Sequence, residues 1–426
     1  MATIIDFSSF TFTEEQIRNI NELVFENVQK LPELDYIHQM YSGIVYDKEI
    51  GFITGGGLVG KAKQGCSPTP HDFAIPTRKV VWRPKAWEVY IEECAQDLEN
   101  TMVVYAMNRG TRVDDLTDTD YMAIVVEVLT EAVKKAMYRF IWFNDTDAAA
   151  YEEEDVYTAT LTEQTAGSAI VGTVYKGVDE DTEGAVKAAL ADKTVVYLAG
   201  SAAVGNAESG KSYYSKSATK DITINNGGTL TEGIDEDYFN VLDGLFKQLR
   251  AIVANNAAAG VTIVANSEDS KAEQDSEFGA QDAYDLLSAM YYKAPIALRN
   301  SGKMRFLVTQ SVADRYQQYL TGKGIESEYD NLVNGLRALK FLGVEVIPLS
   351  IWDEMIRSYQ DLGSTYYKPH RALLTMKEVL GVGTPSEEAY GSFDVFYDKK
   401  SRTNNIYLAD KIDAKILNDG MLIYAE

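Results

Sequence analysis

Cysteine, histidine and proline are scarce in this chain of 426 residues, which carries two, three and nine of them. Cys66 and Cys94 have no Cys or His at metal-ligand spacing. One pair in so long a chain is no disulfide framework, so both are read as free thiols. His38, His71 and His370 lie far apart, and no Gly-x-Ser-x-Gly elbow accompanies them, so a Ser-His-Asp site is not indicated. Apolar runs long enough to cross a bilayer are missing. Residues 1–20 have neither a basic start nor an unbroken apolar core and do not read as a signal peptide, so a soluble protein made in the cytoplasm, with no membrane partner, is expected. Positive charge is short as well: 40 Lys and Arg stand against 64 Asp and Glu, a net charge of −24. Affinity for nucleic acid comes largely from cations that displace phosphate counterions, so this balance argues against a sequence-specific nucleic-acid reader.

What the chain does have is folding material. Its length allows two to four compact units, and 46% hydrophobic with 24% charged residues is ordinary for a folded chain. The nearest approach to a nucleotide motif is TGGGLVGKAK, with Gly55, Gly60 and Lys61 at P-loop spacing. A P-loop needs a hydroxyl after the lysine, where Ala62 stands, and a following helix, which Pro68 and Pro70 exclude. The acidic runs Glu152–Asp155 and Asp179–Glu183 lack the ligand spacing of an EF-hand and read as solvated faces. No catalytic, cofactor-binding or metal site is therefore expected.

The local patterns describe an α+β chain. Thr13 caps an amphipathic helix carrying Ile17, Ile20, Leu23, Val24 and Val28. Residues 45–84 are rich in Gly and Pro, with Gly55, Gly56, Gly57, Gly60, Lys61 and Lys63 at their centre, and read as an extended β-hairpin with a mobile tip. A helix is expected near 85–100, and a long one over 119–143 with Met122, Val126, Leu129, Val133 and Phe140 on its apolar face. From 157 to 233 short β-prone pieces (YTATLT, AIVGTVY, TVVYLAG, KDITIN), one small helix (EGAVKAALA) and the turn pair Asn226–Gly227 suggest an inserted subdomain. A helix over 237–256, a strand VTIVAN and a polar loop SEDSKAEQDSEFGAQD follow. The stretches TGKGIESEYDNL and IRSYQDLGSTYYKPH read as exposed loops. Twenty-seven tyrosines, paired in MYYKAP and STYYKPH, suit half-buried or intersubunit positions, because the ring buries while the hydroxyl stays wet.

The last third reads DAYDLLSAMYYKAPIALR, FLVTQSVADRYQQYL, ALKFLGVEVIPLS, RALLTMKEVLGVG and FDVFYDKKSRTNNIYLADKIDAKI. In order and character these segments resemble the major capsid proteins of tailed phages, the HK-ninety-seven fold family that also includes encapsulin shells. The resemblance implies an N-terminal arm (1–44), an extended loop (45–84), a peripheral domain (85–156) with its spine helix, an axial domain (234–390) and return strands (391–426), with 157–233 as an insertion beyond the minimal fold. It further implies a non-enzymatic subunit that forms hexamers and pentamers of an icosahedral shell around double-stranded DNA. The shell would assemble in the host cytoplasm, with scaffold, portal and decoration proteins as possible partners. Two alternatives stay open: an encapsulin-like compartment, or a soluble hydrolase or carbohydrate-binding protein with 157–233 as its module.

Overall fold

A computed structural model describes residues 32–53, 77–94, 120–158, 160–165, 168–173, 197–198, 213–216, 220–225, 227–324, 329–333, 336–386, 391 and 393–426. The first described elements are a single turn, α1 (Leu34–Ile37), and a short strand, β1 (Gln39–Tyr41). Next, β2 (Lys48–Ile53) and β3 (Thr77–Trp82) form an antiparallel ladder from Lys48↔Trp82 to Ile53↔Thr77. Residues 54–76, with every glycine and lysine singled out at the hairpin's centre, lie outside the described residues, as does the expected helix after Thr13.

The helix expected near 85–100 is not found over its first ten residues, where Lys85–Cys94 form β4. Trp87, Val89 and Ile91 alternate with Glu88, Tyr90 and Glu92, a period of two. The strand finds a full-length partner, since all ten residues pair with the C-terminal strand β19 described below. The long helix α2 covers Asp120–Tyr138 and continues as a π turn, Arg139–Phe143. That wider turn, closed by the Asn144 N–H donating to Arg139 O at 3.1 Å, buries four consecutive side chains, Phe140 to Phe143.

Two compact units divide the chain, one built from Met1–Ala148, Asp235–Gln360 and Ser364–Glu426, the other from Ala149–Ile234 with Asp361–Gly363. In the second unit all described elements are strands. β5 (Glu153–Thr158) pairs antiparallel with β10 (Lys220–Asn225), while β6 (Thr160–Thr165), β7 (Ser168–Thr173), β8 (Tyr197–Leu198) and β9 (Tyr213–Lys216) form a sheet in the order β7-β6-β9-β8. The unit's entering and leaving segments meet at an isolated parallel bridge, Ala150↔Leu230. Gly228 makes this closeness possible, because a Cβ there would stand 2.2 Å from Ala150 O. The small helix expected at 183–191 and Asn226 lie outside the described residues, while Gly227 has the left-handed φ of +79° that its turn requires.

Beyond this unit the expected helix over 237–256 is split. Glu236–Tyr238 form a 3₁₀ turn, and only Leu245–Asn255 form the helix α3. Gly244 donates its N–H to Asn144 O at 2.7 Å, so the backbone is committed elsewhere just before the helix starts. Of the expected strand VTIVAN only Val261 is a strand residue, in β11 (Gly260–Val261), and a 3₁₀ turn, Val264–Ser267, takes over. The expected polar loop contains a short helix, α4 (Lys271–Ser276), because Ser270 caps its start: Ser270 Oγ accepts from the Glu273 N–H at 3.2 Å and donates to Glu273 Oε2 at 2.8 Å.

The remaining elements are α5 (Ala280–Lys293), α6 (Ile296–Arg299), β12 (Arg305–Val308), α7 (Gln310–Lys323), β13 (Tyr329–Val333), β14 (Leu336–Phe341), β15 (Val344–Pro348), α8 (Ser350–Tyr359), β16 (Ala372–Thr375), β17 (Leu380–Gly383), β18 (Asp394–Asp398), β19 (Thr403–Ile416) and β20 (Ile423–Ala425). Both stretches expected to be exposed loops carry regular structure: α7 runs to Lys323 and β13 starts at Tyr329 at the two ends of the first, and α8 takes in the buried Ile356 at the start of the second. A seven-stranded mixed sheet has the order β11-β20-β16-β12-β15-β14-β13. Strand alternation divides its side chains between two cores. Leu307, Ile347, Leu373 and Tyr424 join α2, α3 and α8 in one core. Phe306, Val308, Val346, Leu374 and Ile423 join α5 and α7 in the other. A second sheet is organised on β19, whose 14 residues pair with β4, β17 and β18. The architecture is α+β.

Candidate intersubunit surfaces

The root of the β2–β3 hairpin is built from residues scattered over the sequence. Trp82 ends β3 and is fully buried with Ile44 and Leu417, while Tyr41, Ile50, Phe52 and Val80 pack around them. The indole lies on β17 at two glycines: a Cβ on Gly381 would stand 2.9 Å from Trp82 Cη2, and one on Gly383 would stand 2.8 Å from Cε3. Only Gly leaves room for a ring this close. Past the corner, the Arg83 N–H donates to buried Asp413 Oδ2 at 2.7 Å, and Lys415 Nζ lies 3.3 Å from Asp413 Oδ1. Burial raises the Asp413 carboxyl above its usual value, against the pull of Lys415 and the Arg83 N–H. Exposed pairs add little: Arg78–Asp419 at 3.1 Å and Lys79–Glu49 at 3.0 Å. The hairpin is thus tied through its base to β17 and β19.

A neighbouring surface is one face of β4, β19 and β18. Register brings Glu88, Tyr90 and Glu92 onto the same side as Thr403, Asn405, Tyr407, Asp394 and Phe396. Its polar atoms are already ordered: Tyr90 OH donates to Asn405 Oδ1 at 2.9 Å, Tyr407 OH to Glu88 Oε2 at 3.3 Å, and Thr403 Oγ1 to Glu92 Oε1 at 2.9 Å. The rings of Tyr90 and Tyr407 meet edge to face, and Tyr90 is still 56% exposed. Large exposed side chains also occur at Tyr46, Val264, Leu342 and, with Tyr292 at 65%, around α5 and α6. The two tyrosine pairs thus differ: Tyr292 is open, while Tyr366 and Tyr367 are half-buried under Lys271, Arg250 and Arg371.

Helix α2 presents its expected stripe unevenly. Val133 and Phe140 are buried, Val126 and Leu129 are half-buried, and the side chain of Met122 lies outside the described residues. Val125 and Met137 complete the buried edge, whereas Val128 is open. The π turn brings Trp142 against Trp352 with centroids 4.6 Å apart.

Among the described residues, both histidines and Arg371 are engaged inside the fold. His38 is fully buried between Tyr138 and Trp142, its Nδ1 3.0 Å from Leu34 O, and burial pushes its pKa down to about 4. His370 Nδ1 lies 2.8 Å from Ser311 Oγ and its Nε2 2.9 Å from Gln274 O. Arg371 is wholly buried against the Phe143 and Phe246 rings and donates to Gln360 Oε1 at 2.6 Å. Burial lowers the Arg371 pKa to about 10. His71 and Cys66 lie outside the described residues. Among the described residues no group of three or more His, Cys, Asp and Glu could hold a metal ion, and no helix is long and apolar enough to cross a membrane. Sequence reasoning passed over Trp82, Gly381, Gly383 and Asp413; the G-x-G of the strand LGVG was the available sign, since such glycines mark a close approach.

No protein-family model and no curated protein matches the chain. Solved structures do. A chain of the satellite phage P4 procapsid that includes a size determination protein is 9% identical, with a TM-score of 0.42 over 91% of this chain and 84% of that one. A chain of Mycobacterium phage Ogopogo is 8% identical, with a TM-score of 0.43 over 94% of both chains. A chain of the SrpI encapsulin complex of Synechococcus elongatus is 8% identical, with a TM-score of 0.40 over 93% of this chain and 90% of that one.

Proposed function

We infer that the protein is a shell-forming subunit: the major capsid protein of a tailed phage, assembling into hexamers and pentamers that close an icosahedral shell around double-stranded DNA. Its place would be the virion capsid, reached by assembly in the host cytoplasm, with copies of itself as the main partner and scaffold, portal and decoration proteins as further ones. The observation that carries this reading is the locked hairpin root. Trp82, Gly381, Gly383 and Asp413 fix the base of a Gly-rich, basic segment, 54–76, with a firmness that a dispensable surface loop does not need. Around it the long helix α2 and the ten-residue β4–β19 ladder supply a stiff body, and the face of Glu88, Tyr90, Tyr407 and Phe396 supplies aromatic and acidic surface suited to a protein partner. In this role 54–76 reaches over a neighbouring copy, with Gly55, Gly56, Gly57 and Gly60 giving it adaptability and Lys61 and Lys63 its charge, while the exposed edge of α2 meets other copies.

Ile53 and Thr77 are cross-strand partners, so residues 54–76 can be replaced by Asn-Gly without disturbing the ladder. The expected result is a folded subunit with unchanged circular dichroism that yields no regular particles in electron microscopy, where the full chain does. Regular shells from the shortened chain would refute the loop's role. Nucleic acid in purified native particles separates a phage shell from an encapsulin-like compartment filled with protein cargo. A persistent monomer that turns over a substrate would overturn both.

A further inference from the structure

Four segments meet at a buried polar knot that serves neither hairpin nor sheet face. Asn266 donates Nδ2–H to His370 O at 2.7 Å and accepts the His370 N–H at 2.9 Å. Gln274 repeats the arrangement on Tyr366, donating to its carbonyl at 3.0 Å and accepting its N–H at 2.9 Å. Two amide side chains thereby hold the loop before β16 as a strand neighbour would. The His370 ring closes the knot, lying between Gln274 O and Ser311 Oγ and stacked on Phe278 at 4.4 Å. Ser311 in turn gives its N–H to Asp353 Oδ1 at 3.3 Å, beside the Gln310 N–H to Oδ2 at 2.6 Å, so α8 caps the start of α7.

These partners define the imidazole's protons. Nε2 faces a carbonyl, which can only accept, so Nε2 carries the hydrogen and Nδ1 accepts from the Ser311 hydroxyl. We propose that His370 is an acid-released clasp: neutral, it binds α4 and the 364–371 loop to the start of α7, and a second proton on Nδ1 reverses the Ser311 bond, places a cation in the core and lets those segments part. The charged groups around the ring are Arg315 from α7, which opposes the added charge, and Asp275 from α4, which favours it. Asp353 of α8 reaches the ring only through Ser311, and Arg371 turns away toward Gln360 and the Tyr367 carbonyl. Burial is the largest influence and lowers the His370 pKa. The sign follows: a group depressed in the fold stabilises it while neutral, and that contribution drains away as pH falls through the ordinary histidine range of about 6.5 toward the folded value. Asp353 acts in the opposite sense, because burial pushes its carboxyl up to about 6 and its proton uptake favours the fold.

With only three histidines in the chain, each imidazole resonance can be followed and assigned by single substitution. The full-length protein is titrated by NMR while hydrogen exchange is followed between about pH 7.5 and about pH 5, the window in which an ordinary histidine charges. The His370 resonance should titrate below the ordinary value. Protection over 270–276 and 364–371 should begin to fall near the ordinary histidine value of about 6.5 and level off at the His370 midpoint, by about tenfold in all for each unit of depression. His370→Gln, which cannot gain the charge, should abolish that fall. Titration of His370 at or above the ordinary value, protection indifferent to pH, or an unchanged pH response in His370→Gln would each overturn the clasp. So would global unfolding before His370 titrates. The wild-type titration stands even if His370→Gln fails to fold.

Discussion

Single side chains decide where the main chain can pass most plainly at Trp82. Its ring occupies the space that Cβ atoms would take on Gly381 and Gly383, and the three act as one unit. Gly383→Ala forces a methyl to within 2.8 Å of Trp82 Cε3, and thermal unfolding should show a loss of about 1–3 kcal/mol, the range for overpacking a filled core. Trp82→Ala empties the same site and should cost about 3–5 kcal/mol. Because the residues touch, Gly383→Ala combined with Trp82→Leu should cost less than the sum of the separate changes. A strictly additive double mutant would mean that the ring and the glycines do not share this space. No local pattern in VVWRP announces that contact, since its partners come some three hundred positions later in the chain; only the alternating glycines of LGVG hinted that something must lie close.

For whole elements the useful comparison is between residues whose spacing suited one structure and those that suited two. The α2 stripe satisfied only the helical period, and the structure has a helix there, ending in a π turn that no spacing rule foretells. In β4, by contrast, Trp87, Ile91 and Cys94 are also one helical face, at i, i+4 and i+7. Ten residues cannot distinguish the two periods, and the long partner β19 settles the matter as strand. The helix read through 237–256 failed for another reason: Gly244 sits where the chain passes Asn144 and Trp142. Gly244→Ala would place its Cβ 2.8 Å from Asn144 O, a backbone atom with no freedom to rotate away. It should therefore lower the midpoint of denaturant unfolding by about 1–3 kcal/mol, although alanine is the better helix former. An unchanged or raised midpoint would show that propensity governs the start of α3 and that the crossing is loose.

The whole molecule is acidic, and that sets terms for how copies meet. In the proposed shell, a net charge of −24 on each subunit makes every approach between copies work against repulsion, so contacts made through exposed side chains such as Tyr90, Phe396 and Tyr292 would have to overcome a long-range force of the wrong sign. Salt separates these two influences because it screens the first and leaves the second. Raising ionic strength from about 0.01 M to about 0.15 M shortens the screening length from roughly 30 Å to roughly 8 Å, less than the width of a subunit. Purified subunits should therefore assemble faster and further at the higher salt, as seen by light scattering at fixed protein concentration, with particles counted by electron microscopy. Replacing Tyr90 by Ala should lower the plateau at both salt concentrations while leaving the salt response in place, because it removes contact area and no charge. If shells formed at low salt and fell apart on adding it, ion pairs between copies would have to dominate, and the basic residues of the hairpin, Lys61 and Lys63 first, would become the contacts to remove.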